Sequence, residues 1–452
     1  MLKGMSVAAT TLGCKVNQAE TDSMLDMLKA AGANIVEFDE KADIYIVNTC
    51  SVTNIADKKS RQMLHRARKM NPDGIVIAAG CYVQSAREIL EQDEAIDIVI
   101  SNNKKKSITE IVNDYINVRN NEKNAPGKDH EAMEYFVDIS RETEYEEMGG
   151  HVPVGHTRAY VKIQDGCNQF CSYCIIPYVR GRIRSRSQEA ILAEVSELAE
   201  AGIKEVVLTG IHISSYGKDK NNEGALIELI EAISKIKGIK RIRLGSLEPG
   251  IITEEFVERI SSNSKVCPHF HLSLQSGCDS VLKRMNRKYT CKQYFEKCDM
   301  LRKAYKSPAL TTDVIVGFPG ETEEEFAETV RYLTELNLYE MHIFKYSPRK
   351  GTVAAAMKEQ VAPEIKNERS DVLLKLAHDN KTAYEAQFEG CELEVLVEEV
   401  VKKNNKTYLR GHTERYMDIL IDVGDISMPE SFVNSFVYVT YTQNGGNLPL
   451  LL

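Results

Sequence analysis

The sequence predicts an α/β protein in three parts: an N-terminal parallel α/β sheet, a central partial (β/α)6 barrel, and a small C-terminal antiparallel β-barrel. Three observations predict it. Apolar runs alternate with helical patterns at the N-terminal end, and the same alternation resumes after an acidic stretch. The C-terminal part holds only strand-like runs separated by polar turns. Strand–helix alternation calls for a parallel sheet with helices packed on it. Runs of strands without long helices call for a sandwich or barrel.

Taken in order, SVAATTL is a strand, and NQAETDSMLDMLKAAG is a helix whose Met24, Leu25, Leu28 and Ala31 recur at helical spacing before Gly32 ends it. DIYIVN, the helical IADKKSRQMLHRARKM, GIVIAAG and a further helix from about Ser85 complete a first domain over residues 1–116. Residues 117–150 are polar and acidic and read as a linker. The central domain, 151–383, carries the strand candidates RAYVKIQ, EVVLTG, RIRLGS, FHLSLQ, TTDVIVGF and MHIFKYS, with helices such as QEAILAEVSELAEAG between them. Six such units make part of a barrel whose working face lies at the carboxyl ends of its strands. ELEVLVEEVV, KTYLRGHT, YMDILIDV and SFVYVTYT form the last domain, 384–445.

The 452 residues are 43% apolar and 27% charged, the profile of a globular protein with ordinary cores. The sequence has no apolar run approaching the ~20 residues that span a bilayer, and MLKGMSVAATTLGC lacks the apolar core of a signal peptide. A cytoplasmic protein without a membrane partner is expected. The net charge of -9 is concentrated: between Asp129 and Glu147 eight acids face one arginine, so the remaining chain is nearly neutral and has room for local basic patches.

Eleven cysteines in a reducing compartment point to metal or catalysis, not disulfides. Cys14, Cys50 and Cys81 each follow directly on an apolar run (TTLGC, IVNTC, IAAGC). Ligands gather at the carboxyl ends of strands in a parallel sheet, so these three belong on one edge. Gly13 and Gly80 permit the tight turns required there. Buried thiols would explain one such cysteine; three at three strand ends favour a metal site. CNQFCSYC adds Cys167, Cys171 and Cys174 at the mouth of the expected barrel. A structural zinc site would need a fourth ligand such as His151 or His156.

The spacing Cys-x3-Cys-x2-Cys, with an aromatic before the last cysteine, resembles the signature of radical S-adenosylmethionine enzymes. That resemblance implies a [4Fe–4S] cluster whose fourth iron is left for the amino and carboxylate groups of S-adenosylmethionine. With TLGCKVNQAETDSM, VNTCSVTNIADKKSRQ, AAGCYVQ, GCNQFCSYCIIPYVRGRIRSR, HLSLQSGCDSVLKRMNRKY, TDVIVGFPGET and KYSPRKGTVAAAM, the chain resembles the methylthiotransferases over nearly its whole length. The resemblance implies an auxiliary [4Fe–4S] cluster on Cys14, Cys50 and Cys81, a radical-generating cluster on Cys167, Cys171 and Cys174, and a C-terminal TRAM domain. GCKVN looks like the MtaB type, which acts on N6-threonylcarbamoyladenosine at position 37 of tRNA. The isopentenyladenosine branch usually has GCQMN there, and a third branch acts on a ribosomal protein. The implied partners are a tRNA anticodon loop and an electron donor.

The resemblance places S-adenosylmethionine contacts at Thr209 and Gly210, and later strand ends or starts offer Ser246, Glu248, Gln275, Ser276 and Asp313; each also suits helix capping or backbone satisfaction. Arg180, Arg182, Arg184 and Arg186 alternate after the cysteine motif, so an extended chain would present all four to phosphate. TRAM resemblance implies RNA contacts from Arg410 and Arg415, with Tyr408 and Tyr416 as stacking platforms. A non-catalytic RNA-binding protein with structural zinc is the rival of a different class.

Overall fold

The computed structural model describes residues 2–122, 133–149, 157–404, 406–424, 428–443 and 445–447. The first strands are β1 (Ser6–Thr11), β2 (Asn34–Val36), β3 (Ile44–Thr49), β4 (Ile75–Gly80), β5 (Ile98–Ile100) and β6 (Met133–Tyr135), in the order β2-β1-β3-β4-β5-β6. Every pairing is parallel. Strands β3 and β4 are buried throughout, as a sheet covered on both faces requires. Helices α1 (Lys15–Ala30), α2 (Asn54–Met70), α3 (Cys81–Ser85), α4 (Arg87–Glu91) and α5 (Ile108–Glu122) provide the cover.

The expected acidic linker is a correction. Helix α5 enters it, and β6 adds a strand to the sheet beside β5. Further on, Ile139 is buried, Glu146 accepts the Lys106 amide at 2.9 Å, and the Tyr145 hydroxyl donates to the Lys162 carbonyl at 3.1 Å. Apolar and aromatic residues interleaved with the acids tie this segment down, which a count of charges overlooks. Residues 123–132, the expected start of the barrel at 151, and His151 and His156 lie outside the described residues.

The central part alternates β7 (Arg158–Asp165), α6 (Ile176–Val179), β8 (Arg184–Ser185), α7 (Gln188–Glu200), β9 (Glu205–Gly210), α8 (Ala225–Ser234), β10 (Arg241–Leu244), α9 (Glu254–Ser261), β11 (His269–His271), α10 (Asp279–Arg284), α11 (Cys291–Ala304), β12 (Ala309–Val316), α12 (Glu323–Leu336), β13 (Glu340–Lys345) and α13 (Pro363–Ala386). Six of these strands run parallel in two sheets, β10-β9-β7 and β11-β12-β13, joined by parallel bridges at Ile242–Val266 and Leu247–Leu272. The alternation sends Val161, Ile163, Val206, Leu208, Ile242 and Leu244 to the helices, where one apolar core forms. Their neighbours Arg158, Tyr160, Lys162, Glu205, Arg243, His269 and His271 stand on the opposite, inner face. Helix α1 packs against β7 and β9, closing part of the open side.

Strands β14 (Glu392–Lys403), β15 (Lys406–Thr413), β16 (Asp418–Asp422), β17 (Phe436–Thr442) and β18 (Gly445–Asn447) close into a barrel in the order β14-β15-β16-β18-β17. One pairing, β16 with β18, is parallel; the others are antiparallel. Among the described residues no helix is long and apolar enough to cross a membrane.

Candidate functional site

Strands β1, β3 and β4 are neighbours, so the residues following them share one edge. Cys14 is the N-cap of α1, Cys50 follows β3, and Cys81 opens α3. A Cβ on Gly13 (φ +102°) would lie 2.7 Å from the Cys50 sulfur, and one on Gly80 (φ +98°) 2.5 Å from the Thr49 carbonyl oxygen. Only glycine allows both turns. Asn17 fixes the edge, donating to the Leu12 and Thr49 carbonyls at 2.8 and 2.9 Å, while Asn48 donates to the Asn17 carbonyl.

The second triad occupies the loop after β7. Gly166 (φ +73°) starts it, where a Cβ would sit 1.8 Å from the Arg182 carbonyl oxygen. The Cys167 amide donates to Gly181 and the Cys174 amide to Cys171. The turn after α10 grips the loop: Asn286 donates to the Phe170 carbonyl at 2.9 Å, and the Arg287 guanidinium donates to the Cys171 sulfur at 3.2 Å.

Burial pushes the thiols of Cys50 and Cys167 up to about 11 and that of Cys174 up to about 12. A metal therefore displaces protons when it binds. Among the described residues neither triad brings three sulfurs within 4.8 Å of one another. Thiolates around one zinc ion stand ~3.8 Å apart. Three thiolate donors at each edge suit an iron–sulfur cluster, which thiolates hold.

Arg180 joins the two triads. It lies six positions after Cys174 and is fully buried. Its Nε donates to the Cys81 sulfur at 3.2 Å, and its terminal nitrogens to Glu20, Asn17 and Asp165. Lys105 and Lys162 also bond Glu20, and Lys162 reaches Asp165 at 2.6 Å. Burial alone would raise the Glu20 carboxyl; Arg180, Lys105 and Lys162 overturn this and hold it well below the carboxylate range. Arg349 adds a second tie, from the central part to Ser51, Asn54 and Asp57 beside Cys50.

Of the expected cofactor contacts, Glu248 is the best placed. It pairs with Arg287 at 2.8 Å, lies 3.6 Å from His212, and its amide donates to the Ser214 hydroxyl. With Gln169, His212 and Tyr289 it lines a cavity of about 450 Å³. Thr209 and Gly210 end β9, where the Gln164 side-chain oxygen accepts the His212 amide. Ser246 is exposed. Gln275 holds φ +78° and bridges β12. Asp313 lies mid-strand, 3.4 Å from His271, and a His271–Asp313–His342 cluster forms on the inner face. Ser276 is a correction: it is buried, accepts the Cys278 amide, and lies against Thr329, turned to α12.

The arginine expectations also need correction. Arg180, Arg184 and Arg186 are buried; Arg184 donates to the Arg180 and Arg182 carbonyls, and Arg186 pairs with Glu147 and Glu194. Charged partners elsewhere in the chain draw them inward, which alternation alone conceals. Arg182 faces solvent and stacks on the Phe170 ring at 4.6 Å. Arg410 spends its donors on Asp418 and Glu399, and Arg415 on the Lys306 and Ser307 carbonyls, fastening the C-terminal barrel. Tyr416 points inward, its ring 4.5 Å from His412 and 5.2 Å from His269.

Sequence reasoning missed Arg287, Glu20, Lys162 and Arg349. Arg287 stood within a quoted motif, but nothing in NRKY says which cation reaches a cysteine.

The chain is similar to known proteins in ways that agree with this geometry. Residues 161–333 match the Radical SAM superfamily and residues 6–101 match Uncharacterized protein family UPF0004. A threonylcarbamoyladenosine tRNA methylthiotransferase MtaB of Bacillus subtilis is 39% identical, the match covering 92% of this chain and 90% of that one. The Aquifex aeolicus protein of the same name is 37% identical over 92% of this chain and 98% of its own. A tRNA-2-methylthio-N(6)-dimethylallyladenosine synthase of Thermoanaerobacter pseudethanolicus is 35% identical over 96% and 90%. Among solved structures, the radical S-adenosylmethionine methyltransferase TsrM of Kitasatospora setae shares the fold, with a TM-score of 0.56, 15% identity, and 76% and 77% of the two chains covered.

Proposed function

The chain belongs to the methylthiotransferase family of radical S-adenosylmethionine enzymes, and from that premise we propose that it adds a methylthio group to C2 of N6-threonylcarbamoyladenosine at position 37, in a tRNA anticodon loop. The observation that carries this reading is Arg180, which hangs from the radical-type cysteine loop and bonds Cys81 of the other triad. The two metal-binding edges thus share one wall, as transfer from one centre to a carbon activated by the other requires. The relatives named for threonylcarbamoyladenosine support the substrate.

When bound, the groups supply a deoxyadenosyl radical from reductive cleavage of S-adenosylmethionine at one centre and the sulfur at the other. Cys167, Cys171 and Cys174 would hold the radical-generating cluster, and Cys14, Cys50 and Cys81 the auxiliary one. Arg287 keeps Cys171 and Glu248 in one fixed array. Glu248 lines the cavity that suits S-adenosylmethionine, a carboxylate being a natural partner of its amino group, and Thr209, Gly210 and Ser246 lie at neighbouring strand ends. Gln275 stands beyond the end of β11, whereas Asp313 lies mid-strand in β12 on the inner face. Arg182, solvent-facing beside the second triad, suits a phosphate of the loop. A base in a loop is splayed out at modest cost. An external donor supplies the electrons.

The test is anaerobic reconstitution with iron, sulfide, reductant and S-adenosylmethionine, then incubation with tRNA lacking methylthio groups and mass analysis of its nucleosides. A mass gain on threonylcarbamoyladenosine is expected. A gain confined to dimethylallyladenosine would move the chain to the other branch. Unchanged deoxyadenosine release by Cys171→Ala would remove the catalytic assignment of that triad.

A further inference from the structure

We propose that Lys15 is a specificity-determining residue that binds the carboxylate on the N6 group of the substrate adenine. The inference rests on the threonylcarbamoyladenosine reading and says which side chain reads it. Lys15 is the first residue of α1, next to Cys14, and its ammonium reaches to 5.8 Å from the Tyr160 ring centre and 6.0 Å from that of Tyr416. Helix α1 thus carries it from the auxiliary cysteine edge to the inner face of the barrel.

The cations around it each have an acid partner. Arg158 pairs with Glu398 at 3.2 Å, Arg243 with Glu205 at 2.8 Å, and Arg241 with Glu394 at 2.9 Å. Among the described residues no acid pairs with Lys15, so it is the cation left over. It is open to a cavity of about 550 Å³ whose acids are engaged by other groups: Glu20 by Lys162, Glu147 and Glu194 by Arg186, Glu146 by the Lys106 amide and Asp22 by Gln18. A cation with no acid of its own, facing a cavity whose acids are already engaged, is placed for an anion brought by a ligand.

The chemistry of adenine selects the anion. C2 and C6 flank N1 on one edge of the ring, so a base that offers C2 to the Cys14 side offers its N6 group nearby. Adjacent Cα atoms are ~3.8 Å apart, and a lysine side chain spans more than that. A threonylcarbamoyl group ends in a carboxylate; a dimethylallyl group is uncharged and gains nothing from an ammonium. The same residue that accepts the first disfavours the second, because seating an apolar group there strips water from Lys15 without replacement.

The test uses cluster-loaded full-length enzyme and three anticodon stem-loop RNAs, identical except at adenine 37: threonylcarbamoyl, its methyl ester, and dimethylallyl. Equilibrium binding of each is measured for wild type, Lys15→Gln and Lys15→Arg, with iron content checked for every variant. Wild type is expected to prefer the acid to the ester by roughly 10- to 100-fold, the range of one charge-assisted hydrogen bond. Lys15→Gln reduces that ratio to about one without changing ester affinity, and Lys15→Arg restores most of it. A Lys15→Gln enzyme that keeps the full acid preference overturns the inference and leaves the proposed substrate standing. Should Lys15→Gln load iron poorly, an acid-to-ester ratio near one in wild type still overturns it. Methylthio transfer by wild type to the dimethylallyl RNA alone overturns both the inference and the proposed substrate.

Discussion

Replacing Arg180 with Met removes one buried positive charge and the N–H···S bond to Cys81 while keeping most of the side-chain volume. The fold loses charge-assisted bonds to Glu20, Asp165 and Asn17, but neither acid is orphaned, since Lys162 contacts both and Lys105 contacts Glu20. Breaking a buried ionic network costs about 3–5 kcal/mol, and we expect the lower end because partners remain. At ~2–4 °C per kcal/mol the melting temperature should fall by about 10 °C. The electrostatic effect is separate. Two unit charges ~5 Å apart interact by about 3 kcal/mol at an effective dielectric of ~20. For a one-electron couple, ~59 mV corresponds to a tenfold change in equilibrium, so the reduction potential of the cluster on Cys14, Cys50 and Cys81 should fall on the order of 100 mV. The direction follows because a positive charge favours the reduced, more negative state. The assay is a potentiometric titration monitored by electron paramagnetic resonance in a Cys171→Ala background, where only that cluster loads. A folded, iron-loaded Arg180→Met protein whose potential matches its parent would refute the assignment of Arg180 as a tuning residue.

Other expectations follow from the same geometry. Gly166→Ala places a methyl group 1.8 Å from the Arg182 carbonyl oxygen at positive φ. It should therefore cost several kcal/mol and halve the iron content to about four per chain, measured after reconstitution. Arg287→Met frees Glu248 and removes the donor to Cys171, and should weaken S-adenosylmethionine binding roughly 10-fold or more by equilibrium dialysis, with iron retained. Acid should loosen the contact between α1 and the catalytic part. The folded Glu20 carboxyl is held below its unfolded value, so its stabilisation is complete above pH ~4.3 and is lost as pH falls toward the folded value. Glu20→Gln should flatten the dependence of melting temperature on pH below ~4.5; an unchanged slope would refute the linkage.

How much was legible in the sequence depends on the range of the interaction. Strand–helix alternation is local, and it placed Cys14, Cys50 and Cys81 on one edge because β1, β3 and β4 are consecutive in space. CNQFCSYC is compact and needs no tertiary knowledge to be read. Arg180 was read as a phosphate contact because alternation gives its direction, whereas its burial depends on Glu20, 160 positions away. Tyr416 suits an RNA platform only through the TRAM resemblance; its partner His269 belongs to another domain. The acids of the supposed linker likewise have partners far along the chain, Glu146 at Lys106 and Glu147 at Arg186. Local pattern locates cysteines and strands; it cannot say which charges meet.

The distribution of those charges explains why the N-terminal sheet and the barrel hold a fixed relation. Beside Cys81 the buried cations Lys105, Lys162, Arg180 and Arg184 outnumber the acids Glu20 and Asp165. Glu146, also buried there, accepts the Lys106 amide and has its carboxyl raised by burial; counted with the other two it leaves three acids against four cations. An uncompensated buried cation is costly, and a cluster held by the three thiolates would relieve that cost. Loading the first triad would therefore stabilise the wall between the two domains, through Arg180 and Lys162 acting on Glu20 and Asp165. Removal of iron should lower the melting temperature of the wild type more than that of a Lys105→Met variant, in which one of the unbalanced charges is already gone. Equal losses in the two proteins would show that the cation excess is balanced by something other than the cluster.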